Sequence, residues 1–359
     1  MKKLISLITA MLLFAMLAGC AGTPVIYYTN CTCPTGGHST PSQPVLNVEG
    51  ALKTGLYITS GIDDSKSASG VDSTTEYNGI ASFDVTMVAV LVDDQGVIVD
   101  CIIDGISATY NFSGEGVITS DLTAPVLTKN ELGPDYNMVA WGGAKAEWNE
   151  QAAALASFAV GKTVEELRNG AIDETGKAPA GSDLASSASI YLAGYVDAIE
   201  AAVARAKSLG AQAGDKLKMA AITSVGSSKN ADGENAGLVQ LDVDVTALTV
   251  KDGVISSCYI DSLQGKVSFD ANGSITSDIS APVQSKNDLG DAYNMMAWGG
   301  AKAEWYQQAA SFAAYATGKT ADQVMGIAVT EGKPADADLA SSVTISIGIF
   351  QNLIEKACK

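Results

Sequence analysis

Histidine is almost missing from this 359-residue sequence: there is one, His38, in a stretch of Gly, Ser, Thr and Pro. That count excludes a Ser-His-Asp triad, a Cys-His couple in a folded domain and any site built on several imidazoles. Serine and aspartate are plentiful, but no base of suitable pKa is evident to activate a serine, so a hydrolase has little support. Basic residues are scarce as well, 22 Lys and Arg against 40 Asp and Glu, for a net charge of −18. With no positive excess to neutralise phosphates, no nucleic-acid partner is expected. Charged residues make up only 17% and apolar residues 47%, the balance of a chain that builds cores rather than a disordered one. Nor is there a disulfide framework: apart from Cys20, five cysteines remain (Cys31, Cys33, Cys101, Cys258 and Cys358), an odd number in a long chain. Cys31-Thr32-Cys33 has no second pair at zinc-site spacing, so no metal is expected.

Long apolar runs are also lacking. Leu4 to Leu17 is the length of a signal-peptide core and too short to span a bilayer comfortably. Lys2 and Lys3 precede it, and it ends in Leu17-Ala18-Gly19-Cys20, which resembles the lipobox of bacterial lipoproteins. The resemblance implies that residues 1–19 are a cleaved signal peptide and that Cys20 becomes a lipidated N-terminus. The protein is then expected to be anchored in the lipid bilayer on the extracytoplasmic face of the cell membrane, where several acyl chains hold where one would be marginal. Residues 20–50, with Pro24, Pro34, Pro41 and Pro44, read as a tether.

What is present beyond the tether is a repeat. Ser120–Trp148 (SDLTAPVLTKNELGPDYNMVAWGGAKAEW) matches Ser277–Trp305 (SDISAPVQSKNDLGDAYNMMAWGGAKAEW) at 21 of 29 positions without a gap. The same offset carries Gly96 onto Gly253, Cys101 onto Cys258 and Phe112 onto Phe269, and a two-residue gap then aligns Asp183 with Asp338. The chain is therefore read as two tandem homologous domains, 51–209 and 210–359, each large enough to fold alone. Leu241 to Ala247 alternates apolar with polar as a half-buried strand does, Asp252-Gly253 signals a hairpin, and Val254 to Ile260 returns. Cys101 and Cys258 fall on such strands as buried small hydrophobes. A helix is expected over Ala144–Val160, capping boxes at Thr163 and Thr320, and closing helices from near Ile190 to Lys207 and near Ile347 to Lys356. Strands first and helices later give an α+β fold, an antiparallel sheet with packed helices in each domain.

Two features are candidates for chemistry. Asp338-Leu339-Ala340-Ser341-Ser342-Val343-Thr344, and Asp183-Leu184-Ala185-Ser186-Ser187-Ala188-Ser189 in the first copy, are runs of small hydroxyl residues before the closing helices. A helix N-terminus offers unpaired N–H groups to a phosphate, and equally calls for Ser, Thr and Asp as caps. The second feature is the Trp-Gly-Gly segment. Trp141 and Trp298 are placed to stack on a flat ring, whereas Trp148 and Trp305 read as core anchors of the following helix. Lys145 to Glu147 read as a solvated edge.

The spacing of the hydroxyl runs resembles the flavinylation motif D-x-x-[S/T]-G-A-[S/T] of the FMN-binding domain family. These are extracytoplasmic domains in which a flavin transferase joins the phosphate of FMN to the last Ser or Thr. The resemblance implies Ser189 and Thr344 as acceptors of covalent FMN, with Asp183 and Asp338 as the acidic heads of the motif. By the same resemblance, Ser186, Ser187, Ser341 and Ser342 would lie beside the cofactor. Lys53-Thr54-Gly55-Leu56-Tyr57 is similar to the family's D-G-x-Y opening, and Asp252-Gly253-Val254-Ile255 to its D-G-K-I turn. This chain departs from the motif where Ser187 and Ser342 replace Gly and where Val343 replaces Ala, and no E-T-P-G element is present.

Two functions remain open on this reading. One is an electron-transfer lipoprotein carrying covalent FMN, with a flavin transferase and a redox partner not named by the sequence. The other is a non-flavinylated binding or structural lipoprotein of the same fold that recognises a cell-envelope component or small solute.

Overall fold

Three antiparallel strands open each repeat in the computed structural model, which describes residues 49–68 and 77–359. Cys20, Cys31, Cys33, His38 and the expected signal peptide lie outside the described residues, as does nearly all of the tether. In the first repeat the strands are β1 (Lys53–Gly61), β2 (Gly79–Val92) and β3 (Ile98–Phe112), in the order β1-β2-β3. The second has β4 (Lys216–Ser224), β5 (Gly237–Lys251) and β6 (Val254–Phe269), in the order β4-β5-β6. The β5–β6 hairpin turns at Asp252 (φ 51°) and Gly253 (φ 81°), the two positive φ values that a two-residue turn needs. Cys101 and Cys258 lie buried on β3 and β6.

The helices follow the strands. In the first repeat they are α1 (Lys129–Leu132), α2 (Met138–Gly142), α3 (Trp148–Ala159), α4 (Val164–Ala171), α5 (Asp183–Ser187) and α6 (Ala193–Ala204). In the second they are α7 (Lys286–Leu289), α8 (Met295–Gly299), α9 (Trp305–Ala316), α10 (Ala321–Met325), α11 (Ala337–Ser342) and α12 (Gly348–Cys358), with a two-residue hairpin, β7 (Val329–Thr330) and β8 (Lys333–Pro334), before α11. The capping boxes at Thr163 and Thr320 are formed with Glu166 and Gln323. The helix expected over Ala144–Val160 starts later, at Trp148, because Glu147 caps it and Gly143, at φ 63°, ends the separate helix α2.

Strand alternation sends residues to two different cores. On β2, Phe83, Val85, Met87, Ala89 and Leu91 point to one face, and Val88, Val90 and Val92 to the other. The first set joins Leu241, Val243, Val245 and Ala247 of β5 in a single core, so the two sheets pack face to face. The second set packs under α3 and α6, and its counterpart in the second repeat under α9 and α12. The layers therefore run helices, sheet, sheet, helices.

The junction is self-complementary, as an isologous dimer interface is. Phe112 and Phe269, equivalent under the repeat offset, stack on each other with centroids 4.1 Å apart and planes at 6°. Gly79 and Gly237 make room for these rings, since a Cβ there would lie 2.1 and 2.3 Å from ring carbons. Ala68 N–H donates to Gly273 O and Ala231 N–H to Gly116 O, both at 2.8 Å. The repeats thus share a core, in which the inner face of each sheet is covered by the other sheet.

Candidate ligand groove in the first repeat

The hydroxyl runs do not sit at the amino ends of the closing helices. Asp183 to Ser187 form α5, capped by Ser182, and Asp338 to Ser342 lie in α11, capped by Asp336. Ser189 follows the end of α5, and α6 begins four residues later at Ala193; Thr344 stands likewise between α11 and α12. Asp183, Ser186, Ser187, Asp338, Ser341 and Ser342 are exposed. Ser186 and Ser341 donate their hydroxyls back to Asp183 O and Asp338 O, at 2.6 and 2.7 Å. In the sequence, Ser and Asp suit caps of the following helix; in the structure the buried Leu184 and Leu339 pin the segments to the core as short helices of their own.

Ser189 is exposed and Thr344 half-buried. Each is tied to a buried glutamine of the preceding long helix. Gln151 Oε1 accepts from Ser189 N–H (2.7 Å), Ser189 Oγ (3.3 Å) and Ile190 N–H (3.1 Å), while its Nε2 donates to Ala146 O at 2.8 Å. Gln308 repeats the pattern with Thr344 N–H (2.8 Å), Thr344 Oγ1 (3.1 Å) and Ala303 O (2.8 Å). Glu147 is not a solvated edge. Its carboxylate accepts from Met138 N–H (2.8 Å) and Val139 N–H (3.1 Å), and Glu304 does the same for Met295 and Met296. Glutamine and glutamate together fasten the Trp-Gly-Gly segment to the helix behind it.

Beginning at the residue after Ser189 is a groove of about 580 Å³, within the range of small-molecule and cofactor sites. Its walls include Tyr57, Tyr136, Trp148, Ile190, Tyr191 and Tyr195, with Asp84, Lys129 and Asp197 as its charged groups. Trp148 Nε1–H donates to Tyr195 Oη at 3.0 Å, which fixes both rings. Trp148 is therefore both the core anchor expected of it and part of a groove wall. Gly55, in the segment that resembles the family opening, has a packing reason: a Cβ there would lie 2.2 Å from Ala202 O of α6.

Lys129 is the residue that sequence reasoning missed. It is buried, with Nζ 3.2 Å from Asp84 Oδ1 and within 5.6 and 5.1 Å of the Tyr136 and Trp148 ring centroids. Burial pulls its pKa down, but the Asp84 carboxylate, Tyr195 and Tyr136 outweigh that and leave it raised. The signal was available, since Lys129 and Lys286 are identical in the repeated block. Lys286 also lies over two rings, Tyr293 at 5.3 Å and Trp305 at 4.8 Å, but it forms no ion pair among the described residues. There burial wins over the pull of Asp244, Asp242 and Asp261, and the pKa is lowered. Behind the lysines, a buried carboxylate accepts backbone N–H bonds: Asp104 from Gly105 and Asn130, Asp261 from Ser262 and Asn287. Burial pushes Asp261 up to about 6, against the hydrogen bonds that hold it down.

The second repeat lacks the same walls. Where the first has Tyr191, Gly194, Tyr195 and Asp197, it has Ser346, Ile349, Phe350 and Asn352. Ile349 and Phe350 pack into the helical core there. Trp141 and Trp298 do not line the groove. They are 78% and 88% exposed, on the outer surface of α2 and α8.

The groove reaches Ile190, the neighbour of Ser189, and combines aromatic walls with a volume of about 580 Å³. It does not offer a helix N-terminus for the phosphate, and Gln151 already takes up the N–H and O–H of Ser189. No helix among the described residues is long and apolar enough to cross a membrane, and no group of metal-ligating side chains is found among them. No protein-family model, no curated protein and no solved structure matches the chain.

Proposed function

We propose that the chain is a lipid-anchored, extracytoplasmic lipoprotein that carries FMN for electron transfer, joined through its phosphate to Ser189, with the flavin ring in the adjoining groove. What supports this reading is one juxtaposition: an exposed hydroxyl in a motif-like setting, next to an aromatic-walled groove of about 580 Å³. The bound flavin would supply the redox chemistry, and the protein its binding and tuning. Tyr57, Tyr136, Tyr195 and Trp148 would hold the ring and keep water from one side of it, with the Lys129 ammonium as the nearest positive group. Covalent attachment suits a site outside the cell, where a free cofactor would diffuse away. A separate flavin transferase would make the bond, moving the FMN phosphoryl group from a flavin dinucleotide to the Ser189 oxygen while the hydroxyl proton and a nucleoside monophosphate leave, so the near absence of histidine is no obstacle. We assign the flavin to Ser189 in preference to Thr344, because Ile349 stands where the first repeat has Gly194.

A second reading rests on Gln151. Because its amide oxygen already binds both polar hydrogens of Ser189, the groove also suits a ligand held reversibly, a small solute or cell-envelope component, without any ester. Co-expression with a flavin transferase followed by in-gel fluorescence separates the two. The carrier reading expects a fluorescent band that disappears in Ser189→Ala and persists in Thr344→Ala. A dark wild-type band, with its mass unchanged, would leave reversible binding.

A further inference from the structure

A larger cleft lies where the two repeats are joined. From the last residue of α6, Ala204, the chain runs to Leu209 beside β6 and α9 of the second repeat, and this crossing closes a cleft of about 690 Å³. None of its lining residues belongs to the groove beside Ser189. Its floor is apolar, with Ile260 of β6 and, on α9, Ala313 buried and Ala310 and Ala314 exposed. Its rim is basic. Arg205 donates two parallel bonds to Asp288, Nε to Oδ1 at 2.8 Å and a terminal nitrogen to Oδ2 at 3.0 Å, which neutralises it and fixes its plane. Lys207 is exposed, forms no ion pair among the described residues, and lies with Nζ 4.6 Å from the Tyr259 ring centroid.

The balance of charge at this rim is one positive, on a chain whose net charge is −18. An acidic protein repels anions over most of its surface. A free ammonium beside an apolar cleft is therefore a local exception that selects for one kind of guest. The volume suits a small organic molecule, and the split between alanine floor and cationic rim requires a ligand split in the same way.

We propose that this cleft binds a small amphipathic organic anion, its apolar body against Ile260, Ala310 and Ala314 and its carboxylate, sulfonate or phosphate end on Lys207. The proposal does not depend on flavin in the first repeat. Anilinonaphthalene sulfonate serves as the probe and uncharged phenylnaphthylamine as its neutral counterpart, each titrated against the full chain by fluorescence. Saturable one-to-one binding of the sulfonate is expected. Lys207→Glu should weaken the sulfonate about tenfold and leave the neutral probe unchanged, since only the charged end meets it. Ala310→Phe, at an exposed helix position, should weaken both probes about tenfold by filling the cleft. Gly194→Ile, which narrows the other groove, should change neither. Equal loss of both probes in Lys207→Glu, unaltered binding in Ala310→Phe, or loss in Gly194→Ile would each overturn the assignment. Thermal melts of the variants check that they fold, and the Lys207→Glu comparison stands even if Ala310→Phe does not.

Discussion

The two repeats agree where the scaffold is made and differ where a ligand would touch it. Both keep the buried glutamine, the glutamate that caps two helices, the tryptophan and the lysine over its ring. They part on the closing helix and its approach: Tyr191, Gly194, Tyr195 and Asp197 in one, Ser346, Ile349, Phe350 and Asn352 in the other. The lysine follows suit, paired with Asp84 in the first repeat and, among the described residues, without an ion pair in the second. Duplication has kept the frame that positions a site and released the wall that would select its guest. The shared block is therefore a statement about architecture, and the divergent helix is where ligand chemistry should be sought.

The strongest way to break this comparison is at the shared core. Phe112→Ala and Phe269→Ala should each cost about 3–5 kcal/mol, as large-to-small changes at fully buried aromatic sites do. Because the rings stack on each other, the double variant should cost less than the sum. Urea unfolding followed by tryptophan fluorescence and by circular dichroism should give one coincident transition. Two separate transitions would mean that the repeats are independent domains after all.

A finer division appears at the glutamines. Gln151 Oε1 accepts three bonds and Gln308 Oε1 two, counting the flanking backbone and hydroxyl donors. Gln151→Leu and Gln308→Leu should each destabilise by roughly 2 kcal/mol, because partners near the core are left unpaired. The first should cost more. Equal effects, read from urea midpoints, would show that the third bond, from Ile190 N–H, is not felt.

How much of this could be read from the chain follows from which forces are local. Alternation along β5, the Asp252-Gly253 turn, the capping boxes at Thr163 and Thr320, and the buried Cys101 and Cys258 are all legible, since each depends on near neighbours. The repeat itself foretold two similar α+β halves. It did not foretell that they lie face to face, because an apolar strand face names no partner. Gln151, Glu147 and Lys129 look like solvated polar residues in the sequence, because their partners, backbone N–H groups for the first two and Asp84 with two aromatic rings for Lys129, lie up to 45 residues away. For the same reason the sequence pattern places Ser189 and Thr344 at a helix start, where the structure does not. The caps Ser182 and Asp336 start α5 and α11, and the buried Leu184 and Leu339 hold these helices to the core.

The smallest expected effect bears most directly on the difference between the lysines. Lys129 has its pKa raised in the folded state, so its contribution is fully present below the ordinary lysine value of 10.5 and is lost as pH rises through the folded value. Lys286 has its pKa lowered by burial, so it carries a penalty at neutral pH that is relieved as pH rises from the folded value towards 10.5. Replacing each by methionine keeps the stem and removes the charge. At pH 7, Lys129→Met should destabilise and Lys286→Met stabilise, by about 1 kcal/mol in opposite directions. Thermal melts repeated up to alkaline pH should show the two variants converging on the parent, from below for Lys129→Met and from above for Lys286→Met. Shifts of the same sign would mean that Asp244 and Asp242 serve Lys286 as well as Asp84 serves Lys129, and that the two sites are electrostatically alike despite their different walls.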